Sequence, residues 1–401
     1  MEEAKEHIVI RGCGAISPLG FDQKTSAQAY LSGKPAFSNI LHQGNPTPVA
    51  ALSAAAEQEL QQLIVANPHY LQLDRSVLLA IYAARQAAAR AGWLNNDINS
   101  SDDLAVNIGS SRGATGLFEQ HFSGFQNNEA GMVSSSASPT TTLGNVSSWV
   151  AHAVNAGGAQ ISHSITCSTA LMALANGMAW LKAGMANRFL AGGTEAPLTN
   201  FTLAQMKAVG IYSPLQDTPY PCQPYALEKR NTFVLGEGAA VFALEKATAT
   251  SITSGDIVIE AIGVGFEKIE SKTGISREGI NFQKSMRHAL SQLPSDDTIN
   301  AIITHSPGTR AGDRAELAAI GAVFGEQHPV LTTNKWLLGH TLGASGALSI
   351  QYAIQLLRQQ QILDFPYPSQ INNTNTPQLK RVMVNAAGFG GNAASVIVTL
   401  H

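Results

Sequence analysis

The sequence predicts an α/β protein built from two related halves. Three observations predict it. A strand, a helix and a second strand follow one another across residues 159–191, an order that implies a parallel α/β layer. A polar stretch at residues 246–256, poor in large apolar side chains, divides the chain. Beyond it, a glycine-ended strand and then a small-residue turn, a long helix and a strand loosely echo the first part.

His7-Ile-Val-Ile-Arg-Gly-Cys-Gly-Ala-Ile-Ser-Pro-Leu-Gly20 alternates like a buried strand and ends in glycines and a proline, so a strand feeds a turn there. Residues 75–92 carry apolar side chains at helical spacing and stop at Gly92, which predicts an amphipathic helix. Residues 126–145 are too rich in Asn, Ser, Thr and Pro for regular structure, and the length of the run suggests a lid or a subunit contact. Ala159 to Ile165 reads as a strand and Ser168 to Ala186 as a helix, with Cys167 at their junction. Arg188 to Ala191 is a strand that ends in Gly192-Gly193. The second half opens with the strand Ile257 to Gly265, which loosely echoes residues 8–14. Gly343 to Gln359 is a turn and a long helix, and Val382 to Asn385 is a strand; this series echoes the one after Cys167. No repeat is short enough for a solenoid. The division is therefore 1–250 and 251–401.

A chain of 401 residues has ample length for a large core. It is 44% hydrophobic and only 13% charged, against roughly 25% charged in ordinary soluble domains. Much of its surface is expected to be neutral or covered by another subunit. A net charge of -3 offers no basic field for a nucleic-acid backbone. The acidic start Met-Glu-Glu-Ala-Lys-Glu lacks the positive region of a signal peptide. No apolar run reaches the ~18 residues of a membrane span. Cys13, Cys167 and Cys222 are odd in number and widely spaced, with no Cys-x-x-Cys pair. That argues against disulfides or a zinc knuckle and suits a reducing cytoplasm.

Cys167 lies in Ser164-Ile-Thr-Cys-Ser-Thr-Ala170, where a strand gives way to a helix. Amides and the positive end of the macrodipole at a helix N-terminus favour a thiolate, the reactive form of cysteine. The bland reading is a small buried cysteine fitted to a tight turn. Two other segments share its site-like character. His305 follows the short apolar strand Ala301 to Ile303, with Asp313 and Glu316 within a helical turn of each other beyond it. His340 sits in the glycine-rich run Asn334-Lys-Trp-Leu-Leu-Gly-His-Thr-Leu-Gly-Ala-Ser-Gly346 before a long helix. Either histidine alone is an ordinary residue; the constellation is the stronger signal.

The segments around Cys167, His305 and His340, with Lys335 ahead of His340 and Gly388-Phe-Gly-Gly391 near the C-terminus, resemble the β-ketoacyl-acyl carrier protein synthases of the thiolase superfamily. Gly12-Cys-Gly-Ala-Ile-Ser-Pro-Leu-Gly20 and Phe233-Val-Leu-Gly-Glu-Gly-Ala239 also match, so the resemblance spans nearly the whole chain. It implies a thiolase-like fold, two pseudo-duplicated halves in layers α-β-α-β-α. It implies that Cys167 takes an acyl group from the phosphopantetheine arm of an acyl carrier protein. His305 and His340 would bind the malonyl thioester carbonyl and assist decarboxylation, as neutral donors to the enolate oxygen. The amides of Cys167 and Phe389 would form an oxyanion hole, with the Phe389 ring as a gate. Lys335 would be a fixed positive charge near His340, Glu316 its ionic or hydrogen-bonding support, Asp313 the more structural acid, and Thr309 a contact for the pantetheine arm. No cofactor of the chain's own and no metal are implied. Acyl and malonyl carrier proteins would be partners. The chain would form a homodimer, or a heterodimer with a ketosynthase-like chain-length subunit, and Ser110 to Pro139 is the candidate interface and pocket wall.

The chain departs from the family pattern in places. His-Gly-Thr-x-Thr becomes His305-Ser306-Pro307-Gly308-Thr309, so one hydroxyl is gone and Pro307 stiffens the loop. Gly-Gly-Thr-Asn becomes Gly390-Gly391-Asn392-Ala393, and Arg-Asp-Gly-Phe becomes Arg230-Asn231-Thr232-Phe233. These changes point to a specialised synthase, such as one that builds polyene or polyketide chains. Other readings explain less. A papain-like protease also pairs a cysteine with a distant histidine, but its Cys-Gly-Ser-Cys-Trp signature is missing and the second histidine is left over. A thiolase would carry another cysteine where Phe389 stands. A non-catalytic chain-length subunit would have lost the nucleophile.

Overall fold

The structure, a computed structural model, describes residues 6–94, 102–128, 130–268, 275–326, 328–373 and 377–401. The acidic start read above as lacking a signal peptide lies, as far as residue 5, outside them. The first half runs β1 (Glu6–Ile16), α1 (Gln23–Ser32), the hairpin β2 (Ser38–His42) and β3 (Asn45–Val49), α2 (Ala54–Ala66) and α3 (Arg75–Arg90). It continues through β4 (Leu104–Gly109), α4 (Thr115–Gln126), α5 (Ala137–Thr141), α6 (Asn145–Val154), β5 (Gln160–His163), α7 (Thr169–Lys182), β6 (Arg188–Glu195), α8 (Asn200–Ala208) and β7 (Gly238–Thr248). The second half comprises β8 (Ile257–Phe266), α9 (Ile280–Leu290), β9 (Ala301–Ile303), α10 (Arg310–Phe324), β10 (Val330–Thr332), α11 (Lys335–Leu338), α12 (Ser345–Gln359), β11 (Arg381–Gly388) and β12 (Asn392–Leu400).

The strand order shows the duplication directly. The first half is ordered β5-β4-β6-β7-β1 and the second β10-β9-β11-β12-β8. In chain order within each half these are the same permutation. Orientations repeat too: β4 is parallel to β5 and β6 while β7 is antiparallel to β6 and β1. Likewise β9 is parallel to β10 and β11, and β12 is antiparallel to β11 and β8. The expected parallel layer is thus three neighbouring strands of each half; β7 and β12 run against it, and β1 and β8, antiparallel to those two, run with it again. The halves join through a short antiparallel contact of β1 with β8, Ile8 to Ile10 against Ile257 to Ile259.

Side-chain alternation sorts the strands between layers. On β7, Ala240, Phe242 and Leu244 face a central core that also holds Leu171 and Leu174 of α7 and Leu348 and Ile354 of α12. Val382 and Val384 of β11 and Val396 and Val398 of β12 enter the same core from the other half. Ala239, Val241 and Ala243 point the opposite way, to α3 and α6. Met383 and Ile397 turn to α9 and α10. The result is five layers, α-β-α-β-α. On α3 half of the buried residues are alanine, which lets the helix approach β1: a Cβ on Gly14 would lie 2.0 Å from the carbonyl oxygen of Ala83. No side chain other than hydrogen fits there.

Two local expectations change. Residues 126–145 contain a short helix, α5, whose Thr140, Thr141 and Thr142 hydroxyls donate to carbonyls three or four residues back. Those hydroxyls supply the local partners that let a polar segment turn helically. The strand begun at Arg188 also does not stop at the glycines but continues to Glu195, paired with β7 throughout.

Candidate active site

Cys167 lies between β5 and α7, with Ser168 at the helix cap. Thr166 before it sits at φ 52°, left-handed backbone that a β-branched residue rarely takes. The Thr166 hydroxyl donates to the carbonyl of Phe389 at 3.1 Å. On Gly388 a Cβ would lie 1.7 Å from Thr166 Oγ1 and 2.9 Å from the Cys167 amide nitrogen. The glycine-rich turn after β11 therefore presses directly on the backbone of Cys167. Burial pushes the thiol up to about 12, the charge of Glu195 adds to the rise, and Lys335 and Arg112 oppose it. This corrects the expectation of a stabilised thiolate. A helix terminus contributes about 0.3–1 kcal/mol in exposed settings, less than the cost of ionising a thiol with 8% exposure.

His305 follows β9 and His340 follows α11. Their rings meet edge to face with centroids 5.1 Å apart, and Phe233 and Phe282 flank them. Both are buried. Desolvation holds His305 well below the usual histidine range, assisted by Lys335. The same burial does so for His340, helped by the nearness of Lys335 and of a second imidazole, His305, beside which a charged ring would be disfavoured. Both imidazoles are neutral at pH 7. Their backbones are pinned: the His340 amide donates to Val234 and its carbonyl accepts from Gly236. Leu342, two residues on, has φ 42°, and Ser306, beside His305, has φ 20° at the edge of the left-handed region. Strained residues thus stand within two positions of all three candidate groups, as they do where a fold over-determines a site.

Lys335 opens α11 and is 1% exposed. Burial pulls its ammonium down to about 8, while Glu316 and the cysteines Cys222 and Cys167 hold it up. Glu316 is not its contact partner. Its Oε1 accepts from the amide of His305 at 2.9 Å and from Asn385 Nδ2 at 3.2 Å; its Oε2 accepts from the amide of Ser306 at 2.9 Å. The carboxylate shapes the His305 loop and acts on Lys335 through its charge. Burial raises its carboxyl. Asp313 does related work one turn earlier, accepting from the amides of Gly308, Thr309 and Tyr225. Burial pushes it up to about 7. Thr309 caps α10 by accepting from the Gly312 amide at 3.2 Å.

Cys167, His305, His340, Thr309 and Phe389 line one cavity of about 310 Å³; Lys335, Glu316 and Asp313 stand behind its wall. Phe389 is 47% exposed at its mouth. Pro307 lines the cavity with ring carbons, while the Ser306 hydroxyl turns inward to Thr304 and Glu316. Met206, Ile275, Asn281 and Phe282 are also part of the wall, and no local pattern marks them. Glu195 is a further residue that the sequence hides. It accepts from Ser110 Oγ and the amides of Ser111, Arg112 and Gly343, at 2.7–3.2 Å. It thereby ties the Ser110 loop to the turn after His340. Burial pushes its carboxyl up to about 7, against these four donors. Among the described residues, no group of His, Cys, Asp and Glu is arranged to hold a metal ion. No described helix is long and apolar enough to cross a membrane.

The family model for the β-ketoacyl synthase N-terminal domain matches residues 5–249, and that for the C-terminal domain matches residues 257–366. A 3-oxoacyl-[acyl-carrier-protein] synthase 2 of Staphylococcus aureus (strain N315) is 26% identical over 408 residues, covering 98% of each chain. One of Coxiella burnetii (strain RSA 493 / Nine Mile phase I) is 26% identical over 414 residues, covering 98% of this chain and 99% of the relative. Among solved structures, a beta-ketoacyl synthase from Burkholderia phymatum STM815 aligns with TM-score 0.84 at 23% identity, over 99% of this chain and 100% of that one. The ishigamide ketosynthase/chain length factor aligns with TM-score 0.84 at 20% identity over the same shares.

Proposed function

We propose, from the premise that this chain belongs to the β-ketoacyl synthase family, that it is an acyltransferase performing decarboxylative condensation on carrier-bound substrates. The thiol of Cys167 attacks an acyl thioester delivered on the phosphopantetheine arm of a carrier protein. The pantetheine thiol leaves with the proton, and the acyl group stays on Sγ. Malonyl thioester then enters; CO₂ departs, and its electron pair becomes an enolate whose oxygen is held by His305 and His340. The enolate carbon attacks the Cys167 thioester, and the amides of Cys167 and Phe389 hold the tetrahedral oxyanion. Collapse frees the Cys167 thiolate, which takes a proton from water, and a 3-oxoacyl chain leaves on the carrier. Lys335 supplies fixed positive charge behind the histidines, Glu316 and Asp313 hold the His305 loop, and Thr309 contacts the pantetheine arm. The chain needs no cofactor of its own for this chemistry.

The observation that carries the reading is the pair of neutral imidazoles, 5.1 Å apart, in one cavity with the only cysteine that lines it. An uncharged imidazole donates to an enolate oxygen without itself needing to lose charge. On this reading residues 1–250 furnish the nucleophile, and 251–401 furnish the histidines, the lysine and the gating turn. All three cysteines are free, which suits a reducing, cytoplasmic setting. Cys167→Ala is expected to abolish acyl loading from acyl carrier protein, followed by intact-protein mass spectrometry, while malonyl decarboxylation persists. Acyl transfer onto that variant would sink the nucleophile assignment. His305→Ala and His340→Ala should load normally and condense poorly; normal condensation in both would remove their roles.

A second reading concerns the pathway. Pro307 replaces a hydroxyl on the cavity wall, and similar structures include a ketosynthase in complex with its chain length factor from Xenorhabdus doucetiae. These observations favour a specialised synthase that works in a two-chain assembly, either with a second copy or with a chain-length partner.

A further inference from the structure

His163 lies four residues before Cys167, on β5, and its ring is committed on both nitrogens. Nδ1 is 3.0 Å from Asn107 Nδ2 and Nε2 is 3.1 Å from the Thr169 carbonyl oxygen. A carbonyl only accepts, so Nε2 carries the proton. Asn107 Nδ2 also donates to the Ile161 carbonyl at 2.9 Å, and Asn107 Oδ1 accepts from Asn176 Nδ2 at 2.8 Å. The Asn107 amide is oriented by these two bonds, and its second N–H points at His163 Nδ1. That nitrogen must be a bare acceptor. Thr169 answers in the other direction, its hydroxyl donating to the His163 carbonyl at 3.2 Å.

The two residues are therefore cross-tied, and the tie closes residues 164–168 into a loop with Cys167 inside it. The strained Thr166 and its bond to the Phe389 carbonyl lie in the same loop. We propose that His163, as its Nε2–H tautomer, is a positioning residue: held between Asn107 and Thr169 it fixes the Cys167 loop in the geometry for acyl transfer, and protonation of Nδ1 cuts the ring from its Asn107 anchor. The inference rests on Cys167 being the acyl acceptor. A proton on Nδ1 would face the N–H of Asn107, so the bond to Asn107 must break, while Nε2–H goes on donating to Thr169.

The surroundings leave this ring to its own chemistry. β4 carries no titratable side chain, α7 carries only Lys182 in its last turn, and α6, packed on β5, carries only the exposed His152. Burial lowers the His163 pKa from the usual histidine value, and the Thr169 carbonyl offsets this in part. The Asn107 anchor is thus intact at neutral pH and is lost as pH falls through that lowered value.

The test compares Cys167 loading from hexanoyl-pantetheine, read by intact-protein mass spectrometry across about pH 5 to 8. The probe set is the wild-type chain, His163→Gln and Asn107→Asp, with folding checked by circular dichroism. Glutamine can donate to Thr169 but does not titrate. The ratio of wild-type to His163→Gln rates is expected to be level at neutral pH and to fall by about tenfold per pH unit once the ring titrates. Asn107→Asp replaces the opposing N–H by a carboxylate that accepts from the imidazolium, so the protonated ring keeps its anchor and the fall should disappear. A wild-type ratio that stays level throughout, or an Asn107→Asp profile that falls as the wild-type one does, overturns the proposal. A wild-type chain that takes no acyl group on Cys167 overturns the nucleophile reading instead, and this inference with it.

Discussion

Burial changes what the three groups in the cavity can do, and in opposite senses. Desolvation disfavours the charged form, so it lifts the Cys167 thiol to about 12 and keeps both imidazoles neutral. For the histidines the sign is clear. A folded pKa below the unfolded value of about 6.5 means that the neutral, folded form dominates above that value and that stability is lost as pH falls below it. For the thiol, the reactive fraction grows with pH up to about 12. Alkylation of Cys167 by iodoacetamide, followed by mass spectrometry, should therefore rise about tenfold per pH unit between roughly pH 7 and 10. A plateau near neutrality would mean that the thiolate is stabilised after all. Cys167, His305 and His340 were legible because each ends a short apolar strand or sits in a run of small residues. Glu195 was not: its four donors come from segments over eighty residues away on one side and over a hundred on the other, and nothing local marks a carboxylate that will be buried.

Among the elements, the turn after β11 matters most to the nucleophile. Gly388 leaves no space for a Cβ against the Thr166 side chain and the Cys167 amide. Overpacking of this kind costs about 1–3 kcal/mol. Gly388→Ala should fold, with a lowered midpoint in chemical denaturation. It should also load acyl groups at least about tenfold more slowly, because a displaced backbone costs near-attack geometry. Loading at the wild-type rate would show that the contact is not transmitted to Sγ. Helix α3 and the α7 and α12 segments were legible from apolar spacing and glycine or polar boundaries. Helix α5 was not, since its stability comes from hydroxyl-to-carbonyl bonds that composition reads as a sign of loop. The cavity wall was equally hidden, because Met206 and Phe282 lie far apart in sequence and meet only when the halves close.

On the scale of the whole molecule, one end of the sheet and one helix face stand open. β5 ends the strand order with one edge unpaired among the described residues. On α4, Phe118 and Phe122 stack with rings 6.5 Å apart at 59% and 51% exposure, and Met132 and Val133 beyond the helix are also exposed. Aromatic side chains in that state are costly in water, and they fall within the Ser110 to Pro139 segment. We read the surface as the seat of a second chain of the same fold. Sedimentation velocity should find a two-chain assembly, and Phe118→Asp with Phe122→Asp should leave a monomer; a wild-type monomer would point to a distinct partner. The strand permutation repeated in both halves was only faintly legible, as an echo of strand and helix, because antiparallel pairing of β7 with β1 and β12 with β8 depends on contacts no single segment encodes.

The central helical layer sets an order on synthesis. The inner face of β7, with Phe242 and Leu244, is finished partly by α12 from the other half. While the ribosome has made only the first half, that face lacks part of its cover, and it stays so until residues 345–359 have emerged and folded. The nascent chain must carry a sticky, half-built interior through the making of about a hundred more residues. Nucleophile and histidines become neighbours only when that wait ends.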